Sequence, residues 1–187
     1  MILALSGPIC VGKTYAKESI QKVHPEVTEI YVYTTRKVSP TERHIKHLSV
    51  SEFDAHKHAG NLVLTYESYG EQYGFNKEDF TEKNGDYIVI LPANLVSAAK
   101  KLNSKIVSIN FVVDNSELDL LGQRIKQRYA NMSNGEIKGR LLRVKKEIEA
   151  ARAEYLTYDV SVLVSKEYER HFGEIVVSLY DNFAKKK

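Results

Sequence analysis

Apolar and polar runs alternate along the chain in a pattern that predicts strands and helices in turn. Ile2–Ser6 is a continuous apolar run, as expected of a strand buried on both faces in a parallel sheet. The loop Gly7–Gly12 follows, and a helix is predicted from Lys13 to about Val23, stopped by Pro25. Glu29–Tyr33 is rich in β-branched and aromatic residues and predicts a second strand, after which the polar stretch Thr34–His47 reads as a binding loop. Ser49-Val50-Ser51-Glu52 has capping-box spacing and opens a short helix to about His58. Asn61–Tyr66 and Glu71–Phe75 predict short strands around a turn at Gly70, and Asn76–Lys83 predicts another short helix. Together these elements form a small lobe, about residues 34–83, outside the main sheet.

Tyr87–Leu91 predicts a strand ended by Pro92, Ala93–Leu102 a helix and Lys105–Val113 another buried strand. Two long helices are predicted near Ser116–Tyr129 and Glu136–Tyr155. The polar loop Ala130–Gly135 separates them, and Ser133 with Glu136 repeats the capping-box spacing there. Val160–Val164 is the last core strand and Lys166–Phe183 the closing helix, with the three terminal lysines expected to fray. Strands alternating with helices predict a three-layer α/β domain with a parallel central sheet. Its core comprises residues 1–33 and 84–187.

Composition narrows this picture. A chain of 187 residues is one domain on the length prior, and it buries roughly 70% of its unfolded surface without needing a disulfide or metal staple. Cys10 is the single cysteine, so no internal disulfide forms, which fits a reducing compartment. The first apolar run is five residues long with no basic leader, so neither a signal peptide nor a membrane span is expected there. These features lead us to expect a cytoplasmic protein. A formal charge of +3 gives no argument for a nucleic-acid partner. The arginines and lysines between Arg124 and Lys146 read either as a solvated helix face or as an anion site. His44 with His47, and His56 with His58, have no accompanying cysteine, which weighs against a metal site. His44, in the polar loop, is the better candidate for contact with an anionic substrate. The twelve tyrosines read mostly as half-buried packing residues.

One segment carries explicit chemistry. Gly7-Pro8-Ile9-Cys10-Val11-Gly12-Lys13-Thr14 fits G-x-x-x-x-G-K-[ST], flanked by a strand and a helix as the motif requires. Glycines let successive N–H groups turn toward an anion, and the helix start adds free donors and a positive dipole end. Lys13 supplies a point charge for the β- and γ-phosphates of ATP, and Thr14 a hydroxyl for Mg²⁺. Cys10 is a small loop residue. The expected activity is ATP-dependent phosphoryl transfer.

Further segments resemble the guanylate kinase family. They are Tyr33-Thr34-Thr35-Arg36, then Glu42, then Leu48-Ser49-Val50-Ser51-Glu52-Phe53, then Gln72-Tyr73-Gly74. Arg124, Arg128 and Arg140, followed by Glu147, resemble its lid arginines, and Tyr158-Asp159 its Y-D pair. The resemblance covers nearly the whole chain. It implies a P-loop fold of the guanylate kinase kind, with an acceptor-binding lobe and a helical lid at about 124–140. It departs from the family pattern at Ser39, where a second arginine is usual, and at Val32, Leu64 and Phe75, where polar base-binding groups are usual. Leu91-Pro92-Ala93 replaces an acidic D-x-D, so Asn94 is the candidate stand-in near Mg²⁺. A site without base-binding groups leaves guanine's polar edge unpaired, which makes GMP a doubtful substrate. Ribose 1,5-bisphosphate phosphokinases are similar in several of these departures and in the run Glu42-Arg43-His44-Ile45.

The resemblance assigns roles. Arg36 grips the acceptor phosphate bidentately, with Glu42, His44 and Tyr73 around it. Arg128 and Arg140 close over the transferred group, and Arg124 serves the nucleotide; the bland alternative is ion pairing with Glu117, Glu136 or Glu147. The expected partners are ATP and a small-molecule phosphate acceptor, with neither nucleic acid nor membrane, in a monomer or homodimer. First among acceptors is a nucleoside or deoxynucleoside monophosphate, then ribose 1,5-bisphosphate. A non-catalytic guanylate kinase-like binding domain is the alternative of another class, and the intact Gly12-Lys13-Thr14 speaks against it.

Overall fold

The computed structural model describes residues 1–81, 84–114, 118–130, 132–153 and 155–185. Ser116 and Glu117, Asn131 in the polar loop, Lys83 at the end of the short predicted helix and the last two lysines lie outside the described residues.

Strand β1 (Ile2–Ser6) is the centre of a five-stranded sheet and leads through the glycine-rich loop into helix α1 (Lys13–Val23). Its neighbours are β7 (Tyr87–Ile90) and β8 (Ile106–Val112), with β2 (Thr28–Glu29) and β9 (Val160–Leu163) outside them, and all the pairings are parallel. Side chains alternate across β1, as the period of a strand demands. Leu3 and Leu5 join one core cluster with Ala16 and Ile20 of α1 and with Val176 of α7 (Phe172–Ala184). Ile2 and Ala4 join the other with Val96 and Ala99 of α4 (Ala93–Leu102). A double-sided core of this kind is why Ile2–Ser6 reads as uninterrupted apolar sequence. It makes the domain the three-layer α/β arrangement that the alternation predicts.

A second sheet has the order β4-β3-β6-β5. It is built from β3 (Val32–Thr34), β4 (Ile45–His47), β5 (Leu62–Ser68) and β6 (Glu71–Asn76). Strands β3 and β4 run parallel, and β6 is antiparallel to both β3 and β5. Helix α2 (Val50–His58) sits beside it and begins in the expected capping box, with Ser49 and Glu52 reciprocally bonded. Helices α3 (Glu78–Thr81), α5 (Leu118–Arg128) and α6 (Asn134–Ala153) complete the chain, and the Ser133–Glu136 capping box opens α6 as expected.

Three expectations need correction. The single strand Glu29–Tyr33 is two strands in two sheets: Ile30 N donates to Ile88 O of the central sheet, while Val32 N donates to His44 O of the smaller one. Ile30, Tyr31, Val32 and Tyr33 all suit a pleated strand, so composition does not mark where the backbone changes sheet. The polar stretch Thr34–His47 is not wholly loop, because its last three residues pair with β3 in the register Val32↔Ile45. The closing helix starts at Phe172, six residues later than expected, after a turn and a short 3₁₀ segment, Glu169–His171. Its buried stripe, Phe172, Val176 and Tyr180, begins only there, and the charged residues before it have no core to face.

Candidate active site

The glycine-rich loop leaves the carboxyl end of β1, where parallel sheets collect ligands. Gly7 has φ +137°, and a Cβ there would lie 2.6 Å from Phe111 O, so only glycine fits. Gly12 caps α1 in the left-handed region, and Cys10 also has a positive φ. Lys13 folds back over the loop, its Nζ donating to Gly7 O at 2.6 Å and Pro8 O at 2.7 Å. Burial pushes this ammonium down to about 8, against the opposing pull of Glu147. Ile9 N donates to Glu147 Oε2 at 2.9 Å, so a carboxylate from α6 sits on the loop's own amide. Thr14 is exposed in the first turn of α1.

Two of the cavities beside the loop are lined by candidate cations. One, of about 400 Å³, is lined by Gly12, Tyr15, Arg124, Tyr168 and Phe172. Arg124 reaches it from α5, donating to Cys10 O at 3.3 Å and pairing with Glu169 at 2.6 Å. The other, of about 450 Å³, lies between Lys13, Tyr66, Tyr69, Asn94, Arg143 and Glu147. Leu91, Pro92 and Ala93, expected from the resemblance to replace an acidic D-x-D, also line it.

Arg36 follows β3 of the smaller sheet. The two threonines before it shape the loop: Thr34 Oγ1 accepts from Arg36 N at 3.1 Å, while Thr35 Oγ1 donates to Glu71 at 2.6 Å and accepts from Gln72 N at 2.9 Å. The Arg36 guanidinium forms a fork with Glu42, with contacts of 2.8 and 3.2 Å. That bond raises the pKa of Arg36 and lowers that of Glu42, and Tyr73 lies close enough to add to the shift of the arginine. Ser39, in place of a second arginine, contributes its backbone N–H to Glu42 at 2.9 Å. Tyr73 stacks on Tyr66 with centroids 5.0 Å apart, and Tyr66 lines the Lys13 cavity. This stack joins the surroundings of Arg36 to those of Lys13. Arg128 is exposed and lies 5.6 Å from the centre of the Tyr129 ring, and its charge is a minor influence on Glu42 and Lys13.

The other candidates have different surroundings. Arg140 lies over Tyr129 at 3.9 Å and over Tyr69 at 4.7 Å, and its Nε donates to Met132 S at 3.2 Å. His44 faces Glu29 at 3.7 Å and the Tyr31 ring at 5.5 Å. Phe75 is fully buried and packs edge-on against Phe80, while Val32 and Leu64 pack against the same cluster. Tyr158 and Asp159 brace the core: the tyrosine donates to Ser6 Oγ, and the aspartate accepts from Ser108 and Lys100.

Sequence reasoning passed over Tyr66, Tyr69, Arg143 and the contact of Glu147 with the loop. Tyr69 carries one available signal. Tyr69-Gly70 joins Ser68 and Glu71 as a two-residue hairpin with both φ angles positive, and such a turn projects its first side chain from the tip of the sheet.

No protein-family model matches the chain. It is 27% identical to a guanylate kinase of Nostoc sp. over 96% of its length and 89% of that protein. It is 28% identical to a guanylate kinase of Myxococcus xanthus over 94% of its length and 83% of that protein. Among solved structures it resembles guanylate kinase from Anaplasma phagocytophilum, with a TM-score of 0.65 at 17% identity, covering all of this chain and 85% of that one. An uncharacterized protein from Eubacterium ventriosum gives a TM-score of 0.56 at 10% identity, over 97% of this chain and 98% of that one. The two sequence likenesses support a guanylate kinase-like family, and the likeness to the Anaplasma phagocytophilum structure matches that fold. Among the described residues no helix is long and apolar enough to cross a membrane.

Proposed function

We propose that this chain is an ATP-dependent kinase that transfers the γ-phosphoryl group to a phosphate-bearing small molecule, first among them a nucleoside or deoxynucleoside monophosphate. The observation that carries this reading is the pairing of a glycine-rich anion loop bearing Lys13 with a separate guanidinium, Arg36, joined to it through the Tyr66–Tyr73 stack. Full-length likeness to proteins named guanylate kinase supports the coarser reading of a nucleotide monophosphate kinase-like phosphotransferase.

An oxygen of the acceptor phosphate attacks the γ-phosphorus while the bond to the β-bridging oxygen breaks, giving ADP and a new phosphoanhydride. The reaction needs alignment and charge neutralisation more than covalent help. Lys13 and the loop amides hold the donor phosphates. Arg36 holds the acceptor, exchanging its Glu42 fork for a phosphate of the same bidentate geometry. Arg128, an exposed cation at the end of α5, closes toward both sites and stabilises charge on the group in flight. Mg²⁺, when bound with ATP, offsets negative charge on the phosphates. The exposed Thr14 hydroxyl and the Asn94 amide are neutral oxygen donors suited to an ion that keeps several waters.

A second reading, ribose 1,5-bisphosphate as acceptor, is favoured by the apolar packing of Val32, Leu64 and Phe75, positions at which a purine reader would need polar groups. Both readings are tested by measuring ADP release with a panel of nucleoside monophosphates, their deoxy forms and ribose 1,5-bisphosphate. Acceptor-dependent ADP release with any of them supports the kinase. Its absence across the panel, with ATP still bound, favours the non-catalytic binding domain.

A further inference from the structure

The carboxylate of Glu147 stands where an anion is expected. Oε2 accepts from Ile9 N at 2.9 Å, inside the glycine-rich loop, and Oε1 accepts from Arg143 Nε at 3.1 Å. Both residues line the cavity that holds Lys13. One carboxylate therefore gathers a loop amide and a guanidinium, with an ammonium close enough to feel its charge. These are the three donor types that recognise a phosphate. Arg143 is also tied to the smaller sheet, its guanidinium lying 4.4 Å from the centre of the Tyr69 ring at the hairpin tip.

We propose that Glu147 is an internal phosphate mimic that occupies the loop in the nucleotide-free protein, and that Arg143 is a phosphate-binding residue which passes from Glu147 to the nucleotide when ATP displaces the carboxylate. This rests on the reading of the loop as an ATP site. A carboxylate left in place would repel the incoming phosphates, so Glu147 must leave the loop before they can settle. Its departure frees Arg143, one turn earlier on the same helix, to follow the replacement anion. The cost of the displacement is drawn from ATP affinity, because apparent affinity falls with the fraction of molecules already open. The contact with Tyr69 keeps Arg143 over the cavity during the exchange, so the smaller sheet helps to position a donor-site cation.

Calorimetric ATP titration of the wild type, Glu147→Gln, Glu147→Ala and Arg143→Gln tests the assignment, with thermal unfolding of each variant followed alongside. Both Glu147 variants are expected to tighten ATP binding about fivefold, since a neutral or absent group competes poorly for the loop. Arg143→Gln is expected to weaken it about tenfold, as loss of a charge-assisted hydrogen bond does. Opposite signs from two partners of one ion pair are not produced by a merely structural pair, whose variants would fail together. Folded Glu147 variants that bind ATP no tighter than the wild type, or an Arg143→Gln variant unchanged in affinity, overturn the proposal. If the wild type binds ATP and Lys13→Ala does not, that negative result counts against the exchange alone. If the wild type binds no ATP, the kinase reading and the exchange fall together.

Discussion

The glycine-rich loop and the Arg36 site handle the same chemical group in opposite ways. The loop takes nearly all of its geometry from seven consecutive residues, from Gly7 with its sterically required missing Cβ to Lys13 folded over the loop's carbonyls. The Arg36 site takes one group from the end of β3, one from the segment before β4, one from β6 and the reach of Arg128 from α5. A local site depends on backbone conformation and tolerates change in the rest of the fold. An assembled site depends on every element that carries it. The donor side should therefore vary little among proteins of this architecture, and substrate choice should reside in the smaller sheet.

The sharpest way to break that comparison is at the loop. Lys13→Ala should lower phosphoryl transfer by roughly 10²-fold or more while circular dichroism and the melting temperature stay near wild type, because the side chain bonds the loop's own carbonyls and takes no part in the core. Turnover near wild type would remove the loop from the reaction. On the acceptor side, GMP should be about 10²-fold poorer in kcat/KM than the best acceptor of the panel, because Val32, Leu64 and Phe75 leave guanine's polar edge unpaired. GMP turnover matching the best acceptor would show that base recognition uses other groups.

Arg36→Lys sharpens the comparison further. It keeps the charge and loses the fork, so acceptor-dependent kcat/KM should fall about tenfold or more while the ATP Kd stays within about twofold. A parallel loss in both would mean that the two sites are not separable. The smallest expected effect is in protons. Burial sets the free Lys13 ammonium at about 8, opposed by Glu147 and reinforced by Arg128. It is therefore charged below that pH and loses its proton above it. Bound phosphates favour the charged form, so ATP binding near pH 8.5 should take up a fraction of one proton, and affinity should fall as pH rises through 8. Calorimetry in buffers of different ionisation enthalpy measures the uptake. Lys13→Arg, which stays charged, should abolish it.

The residues that gave themselves away in the sequence are those whose signal is local. The strand at Ile2–Ser6, the loop after it and both capping boxes rest on neighbours three or four positions apart. What stayed hidden depends on distant partners. Nothing in Glu29–Tyr33 marks Tyr31 as the point where the chain leaves one sheet for another, because the choice is made by Ile88 and His44. Ile45–His47 is a strand only because β3 lies beside it. The resemblance led us to expect Phe75 at a base-binding position, and its surroundings make it the packing partner of Phe80. Arg36 was legible as a loop arginine and Glu42 through the family resemblance, but the fork that joins them was not, because it depends on how the loop between them folds. Glu147 on Ile9 N spans 138 positions of sequence, and no periodicity reaches that far.

The central claim is that a phosphoryl group passes from ATP on the glycine-rich loop to an acceptor phosphate held by Arg36. Its most direct test is to supply ATP labelled in the γ-phosphate together with the acceptor chosen by the panel, and to ask where the label goes. The account predicts label on the acceptor in an amount equal to the ADP formed, lost in Lys13→Ala and strongly reduced in Arg36→Lys. Label released only as inorganic phosphate, or retained in ATP with every acceptor, would contradict it.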